Sequence, residues 1–109
     1  MSVIIDENTR IIVQGITGHQ GSFHSGEMLK FGAKVVAGVT PGKGGMEVHG
    51  IPVYDTVEEA MVYEPDATMI AVPTRFVKDA AFEAMYHGIW VVYILTEKVP
   101  LHDVLEKQR

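Results

Sequence analysis

The chain of 109 residues contains no cysteine, which excludes a disulfide scaffold and a thiolate zinc site alike. Positive charge is also scarce: 9 Lys and Arg stand against 14 Asp and Glu, for a formal charge of −5. That balance argues against an electrostatic grip on nucleic acid or on an anionic membrane, since both need clustered cations to neutralise phosphates. Any phosphate binding must therefore be local. Apolar runs are short, none nearing the roughly 20 residues that would span a bilayer. Val3-Ile4-Ile5 runs straight into Asp6 and Glu7, unlike a signal peptide. Repeats, low-complexity tracts and linkers are missing too. The expectation is one soluble, cytoplasmic domain over residues 1–109.

What is present is an alternation of short β-rich runs with helical patterns, the sequence form of βαβ units. Ile11-Ile12-Val13 marks a first strand over Arg10 to Gln14, and Lys34 to Val39 marks a second. Between them Gly21, Ser25, Met28, Leu29 and Gly32 recur three or four apart, which predicts a helix burying that stripe and stopping at Gly32. Residues 40–50 read as a glycine-rich loop, followed by a short extended piece at Ile51-Pro52-Val53. Thr56 and Glu59 form a capping box for a helix from Val57 to Tyr63, ended by Pro65. Ala67 to Val72 and Ile89 to Leu95 are near-continuous apolar runs, as expected of strands covered on both faces. Val77, Ala80, Ala81, Ala84, Met85 and Gly88 trace a third helix beginning near Thr74, and a last one is expected over Leu101 to Lys107. Trp90 and Tyr93 are expected to fill core. About five strands joined by right-handed crossovers give an open, doubly wound, Rossmann-like parallel sheet in the order 3-2-1-4-5. Ligands of such sheets sit beyond the carboxyl ends of the strands.

The loop Gly15-Ile16-Thr17-Gly18-His19-Gln20-Gly21 lies at that edge, between a predicted strand and a predicted helix. Its glycines allow a tight turn and a close backbone approach, while the N–H groups at the helix start face a bound anion. A plain strand-to-helix turn, with glycine relieving only sterics, would use the same residues. An NAD site places Asp or Glu at the end of the second strand to receive the ribose. Here the strand ends Val39-Thr40-Pro41-Gly42-Lys43-Gly44-Gly45, with Lys43 where the acid would stand. A lysine suits the phosphorylated ribose of coenzyme A or of NADP, although a solvated loop lysine would look the same.

Taken together, Gly15 to Gly21, Gly38 to Gly45, Ile51-Pro52-Val53 and Leu95-Thr96-Glu97 resemble the CoA-binding domain that opens the α subunit of succinate–CoA ligases. Asp6 to Thr9, Lys78-Asp79 and Val99-Pro100 carry the likeness almost from end to end. The resemblance implies that coenzyme A is the ligand, with Thr17, Gly18, His19 and Gln20 on its phosphates. It further implies Pro41 and Lys43 beside the nucleotide, and Val72, Pro73, Thr96, Glu97 and Lys98 along the groove toward the thiol. Arg75 departs from the small residues expected after Val72-Pro73; it would either contact a phosphate or be solvated.

By the same resemblance, the parent enzyme is an ADP- or GDP-forming acid–thiol ligase of the tricarboxylic acid cycle, with a phosphohistidine domain and a β subunit as partners. No segment here resembles the phosphohistidine loop. His19, His24, His49, His87 and His102 show no metal-ligand pairing, and no Gly-x-Ser-x-Gly turn or Tyr-x-x-x-Lys spacing occurs. The expectation is therefore CoA binding without independent turnover, with no catalytic residue and no metal. The chain stops at Arg109, where the resemblance would continue, so an excised domain and a natural stand-alone protein both fit. Two other readings stay open: an NADP-binding fragment like a short-chain dehydrogenase, and a CoA-sensing interaction module. An open sheet edge would favour a homo-oligomer.

Overall fold

A computed structural model describes residues 7–95. Its centre is β1 (Arg10–Gln14), flanked by β2 (Lys34–Val39) and β5 (Ala67–Ile70), both parallel to it. Outward from β2 come β4 (Ile51–Tyr54), again parallel, and β3 (Glu47–Val48), antiparallel; outward from β5 comes β6 (Val91–Ile94), parallel. The order β3-β4-β2-β1-β5-β6 contains the expected 3-2-1-4-5 arrangement with one short strand added at the edge. That strand exists because His49 and Gly50, at φ 55 and 82, turn the chain back tightly enough to form a two-residue hairpin loop. Two residues of strand are too few to show a period, so the sequence shows only a loop there.

The sheet is covered unequally. α1 (His19–Lys30) packs on one face, where Ile11, Val13, Val35, Ile51 and Val53 meet Met28. Val57 and Ala60 of α2 (Val57–Ala60), and Ala84 of α3 (Thr74–Tyr86), pack on the other face with Ile12, Ala37 and Val39. Ile11, Ile12 and Val13 are all 0% exposed, as a central parallel strand requires. Each such side chain contributes about 1.5–3 kcal/mol on burial.

The helices end as their glycines require. Gly32, at φ 87, donates to the Leu29 carbonyl at 3.0 Å, and Ala33 donates to that of Met28 at 3.0 Å. Gly88 and Ile89 repeat the pattern on Met85 and Ala84, both at 2.9 Å, so both long helices close in the same left-handed motif. The predicted Val57–Tyr63 helix is shorter, becoming a 3-10 turn at Met61–Tyr63. Glu64 then takes a left-handed conformation at φ 53 and ψ 57, its N–H donating to the Met61 carbonyl at 2.9 Å and ending the turn ahead of Pro65. The capping box is also displaced: Glu59 N–H donates to Thr56 Oγ1 at 3.1 Å, but the Glu59 carboxylate accepts from Asp55 N–H.

Two packing expectations are corrected. Leu29 is 37% exposed, because Gly21 and Ser25 form the buried line of α1 and Leu29 lies off it. Trp90 does not fill the core: it is 73% exposed, and Ile94 is 50% exposed. The physical reason is position, since among the described residues β6 pairs only with β5 and is an edge strand. Tyr93 is half-buried. The expected Leu101–Lys107 helix lies outside the described residues.

Candidate functional site

The turn from β1 into α1 is built by close approach. Gly15 has φ 84, and a Cβ there would run into the Ala71 carbonyl and come within 2.9 Å of Val72 Cγ1. At Gly21 a Cβ would collide with the Gly15 carbonyl. The two glycines thus let α1 begin almost on top of the strand it follows. Gly18 N–H donates to the Gly15 carbonyl at 3.0 Å and closes the turn, while Gly15 N–H donates to the Val39 carbonyl at 2.7 Å.

Gly18 is the N-cap of α1, and neither a side-chain cap nor an acidic residue in the first turn neutralises this helix end. The first N–H groups of the helix have no carbonyl partner within it, and the helix dipole adds positive potential there. An anion can be held at such a place by main chain alone.

A second loop faces the first. Thr17 N–H lies 3.5 Å from Thr40 Oγ1, a long contact across the two turns. The Thr40–Gly45 loop is held from below by Asp55, whose Oδ1 accepts from Gly42 N–H and Gly44 N–H, each at 2.9 Å. Lys43 N–H donates to the Thr40 carbonyl at 3.0 Å. Asp55 is a site-shaping residue that its sequence context conceals, since it directly precedes the capping box and reads as part of a helix start.

Between the loops lies a largely apolar cavity of about 550 Å³. Thr17, Gly18, Pro41, Val72 and Pro73, named from the sequence, all line it. His19 instead borders a shallower groove of about 660 Å³ along α1, which Thr17 and Gly18 share and His49 closes. Gln20 and Lys43 line neither, Lys43 standing exposed on its loop. Thr96, Glu97 and Lys98 lie outside the described residues. Arg75 lines neither and is exposed, its guanidinium 4.7 Å from the Phe76 ring centroid.

Sequence reasoning missed Gln14, Phe76, Asp79 and Glu83, which complete the cavity wall. The signal for three of them was present: positions 76, 79, 80 and 83 share one helical face, rotated from the alanine stripe. Glu83 also accepts from Val57 N–H at 3.2 Å, tying α3 to the start of α2. Among the described residues no His, Asp and Glu cluster could hold a metal, and no helix is long and apolar enough to cross a membrane.

An open Rossmann-like sheet with a glycine-cleared, uncapped first helix at its carboxyl edge defines the structural class. The chain belongs to the CoA binding domain family, whose model matches residues 6–98. It is 59% identical over 104 residues to succinate–CoA ligase [ADP-forming] subunit alpha 1 of Archaeoglobus fulgidus, covering 94% of this chain and 36% of the relative. It is 47% identical over 107 residues to an ADP-forming sulfoacetate–CoA ligase subunit, SqwL, of an Acholeplasma species, covering 97% and 36%. The chain thus spans just over a third of the length of the curated relatives it matches. In fold it is similar to a Rex-family repressor, RSP, with a TM-score of 0.72, 20% identity, and coverage of 92% and 56% of the two chains. A conserved hypothetical protein from Pyrococcus furiosus gives a TM-score of 0.68 at 23% identity, covering 91% of this chain and 86% of that one.

Proposed function

We propose that this chain binds coenzyme A at the carboxyl edge of its sheet, as the CoA-binding part of an ADP- or GDP-forming acid–CoA ligase α subunit. The observation that carries the proposal is the bare start of α1, cleared by Gly15 and Gly21 and opening onto an apolar cavity. A phosphate group fits that helix end, and a planar base fits the walls. Thr17, Gly18, His19 and Gln20 would hold the phosphates, largely through main-chain N–H groups. Pro41, Val72 and Pro73 would flank the nucleotide, with Lys43 free to swing toward the ribose phosphate. Thr96, Glu97 and Lys98 would follow the chain toward the thiol. The carboxylates of Asp79 and Glu83 at the far wall would keep phosphates at the Gly18 end.

An NAD-type site is less well supported. β2 ends without a carboxylate, and the nearby Asp55 carboxylate is already engaged by Gly42 and Gly44. The role of the domain would then be positioning. In the complete enzyme the CoA sulfur would attack an acyl phosphate made elsewhere, forming the thioester as phosphate leaves. Relatives acting on succinate and on sulfoacetate share this domain, so the acid would be chosen outside it. A β subunit and the remainder of an α subunit are the partners this reading calls for, in a cytoplasmic setting.

Calorimetric titration with CoA, dephospho-CoA and NADPH tests the reading. CoA is expected to bind most tightly, dephospho-CoA more weakly, and Lys43→Ala is expected to erase that difference. NADPH binding as tightly as CoA would replace the proposal with a dehydrogenase-like one. A change of size-exclusion profile on adding CoA would favour an interaction module.

A further inference from the structure

Among the described residues β6 pairs with β5 on one side and with no strand on the other. Leu95 N–H donates to the Ile70 carbonyl at 2.9 Å and so points at β5. The alternation of an extended chain then turns the N–H and C=O groups of Val92 and Ile94 the opposite way, toward the open edge. None of the features that usually blunt such an edge is present. Ile89 to Leu95 contains no charge, no proline and no glycine, and β6 follows β5 without a shift of register. Trp90, just before the strand, and Ile94, its last residue, are 73% and 50% exposed. α3 packs over β5 and β6, and its Glu83 accepts from Val57 N–H, which marks the flank facing α2. At about 100° per residue, Lys78, Ala81 and Met85 fall on the opposite flank, over the open edge. Phe82 borders them, its ring 5.9 Å from Lys78 Nζ.

We infer that two copies of this chain associate through β6, edge to edge and antiparallel about a two-fold axis at Val92, joining their sheets into one. In an antiparallel pair, opposed residues whose N–H and C=O groups face each other exchange two hydrogen bonds. With Val92 opposite its own counterpart, Trp90 stands opposite the partner's Ile94, so the outward backbone groups are paired and the two exposed side chains cover each other. Centring the pair on Tyr93 instead would leave Trp90 without a partner from β6. A second copy is the occupant that fits, because the same axis sets two α3 flanks side by side with Ala81, Met85 and Phe82 in the seam. Asp79 and Glu83 lie away from that seam, so no carboxylates of α3 are set against each other. A strand of four residues alone falls short of the ~1,000 Å² expected of a specific interface, and the helix seam and the Trp90–Ile94 contacts enlarge it. None of these residues lines the cavity, so the inference is independent of the coenzyme A reading.

The test is sedimentation equilibrium of the full chain over a concentration series, with amide hydrogen exchange read at Val92 and Ile94. A monomer–dimer equilibrium is expected, in which both amides become protected as the dimer fills. Ile94→Lys, checked for folding by circular dichroism, is expected to weaken dimerisation at least ~10-fold, because it sets a charge into the apolar contact with Trp90. Trp90→Lys, outside the strand, is expected to act alike and decides the matter if Ile94→Lys does not fold. Phe31 is 86% exposed just after α1, and Phe31→Lys should leave the dimerisation constant within about 3-fold. A monomer at every concentration, or assembly beyond a dimer, would overturn the inference. So would a dimer in which Val92 and Ile94 exchange freely, or one that the folded lysine variants of β6 weaken no more than Phe31→Lys does.

Discussion

His49 Nε2 lies 2.9 Å from the carbonyl oxygen of Ser22, so the tip of the β3–β4 hairpin is pinned to the first turn of α1. Gly26 leaves the space the ring needs, since a Cβ there would stand 3.0 Å from Nε2. The hairpin continues into the Thr40–Gly45 loop through the Gly45–Val53 and Val53–Met46 backbone bonds, both 3.0 Å. The contact therefore sets the distance between the two loops of the site. His49→Ala is expected to cost about 1 kcal/mol, which lowers the melting temperature by roughly 4–8 °C, and to weaken CoA binding. Thermal melts and calorimetry on the same preparations check both effects.

Asp55→Ala should leave Gly42 and Gly44 N–H without their shared acceptor. Because the loop is exposed, the loss of stability should stay near 1 kcal/mol, while CoA affinity falls several-fold as the loop loses its shape. Amide hydrogen exchange at Gly42 and Gly44 should accelerate in the variant; unchanged exchange would refute the role given to Asp55.

Gly21 and Gly18 should respond differently to the same methyl group. Gly21→Ala drives a Cβ into the Gly15 carbonyl and is expected to cost more than about 2 kcal/mol. At Gly18 the Cβ would find only that carbonyl, at an ordinary 3.4 Å, so Gly18→Ala should cost less than about 1 kcal/mol. Denaturant unfolding of the two variants decides the matter, and equal costs would contradict the geometry.

Tyr54 and Tyr63 share a hydroxyl–hydroxyl hydrogen bond of 2.7 Å. That bond, then burial and the charges of Tyr63 and Glu59, raise the Tyr54 pKa above its ordinary 10.0. The folded chain thus holds this proton more tightly than the unfolded one. The resulting stabilisation is complete below pH 10.0 and disappears as pH climbs through the raised value. Tyr63→Phe should flatten that alkaline loss and move the Tyr54 titration back toward its usual range, as ultraviolet difference titration would show.

Much of the architecture could be read from the chain because its signals are local. Consecutive Ile11-Ile12-Val13 means burial on both faces, and Gly32 and Gly88 stop helices through their own backbone freedom. The strand order followed from the handedness of crossovers. Trp90 escaped this logic: an apolar run looks the same in a central strand and at an edge, and only the neighbours distinguish them. The site divides in the same way. Gly15, Gly18 and Gly21 stand in one turn and can be recognised together, whereas Asp55 acts through partners more than ten residues away in sequence.

By itself, then, the sequence determined the alternation of strands and helices, the glycine turn that bares a helix end, and the absence of metal-binding cysteine. Those properties depend on residues within a few positions of each other, where backbone sterics and hydrogen bonding are decided. Only the tertiary structure decided which wall the cavity has, which strand stands at the edge, and which carboxylate holds the second loop. Each depends on a contact made across the sheet, and the direction of a hydrogen bond exists only once both partners are in place.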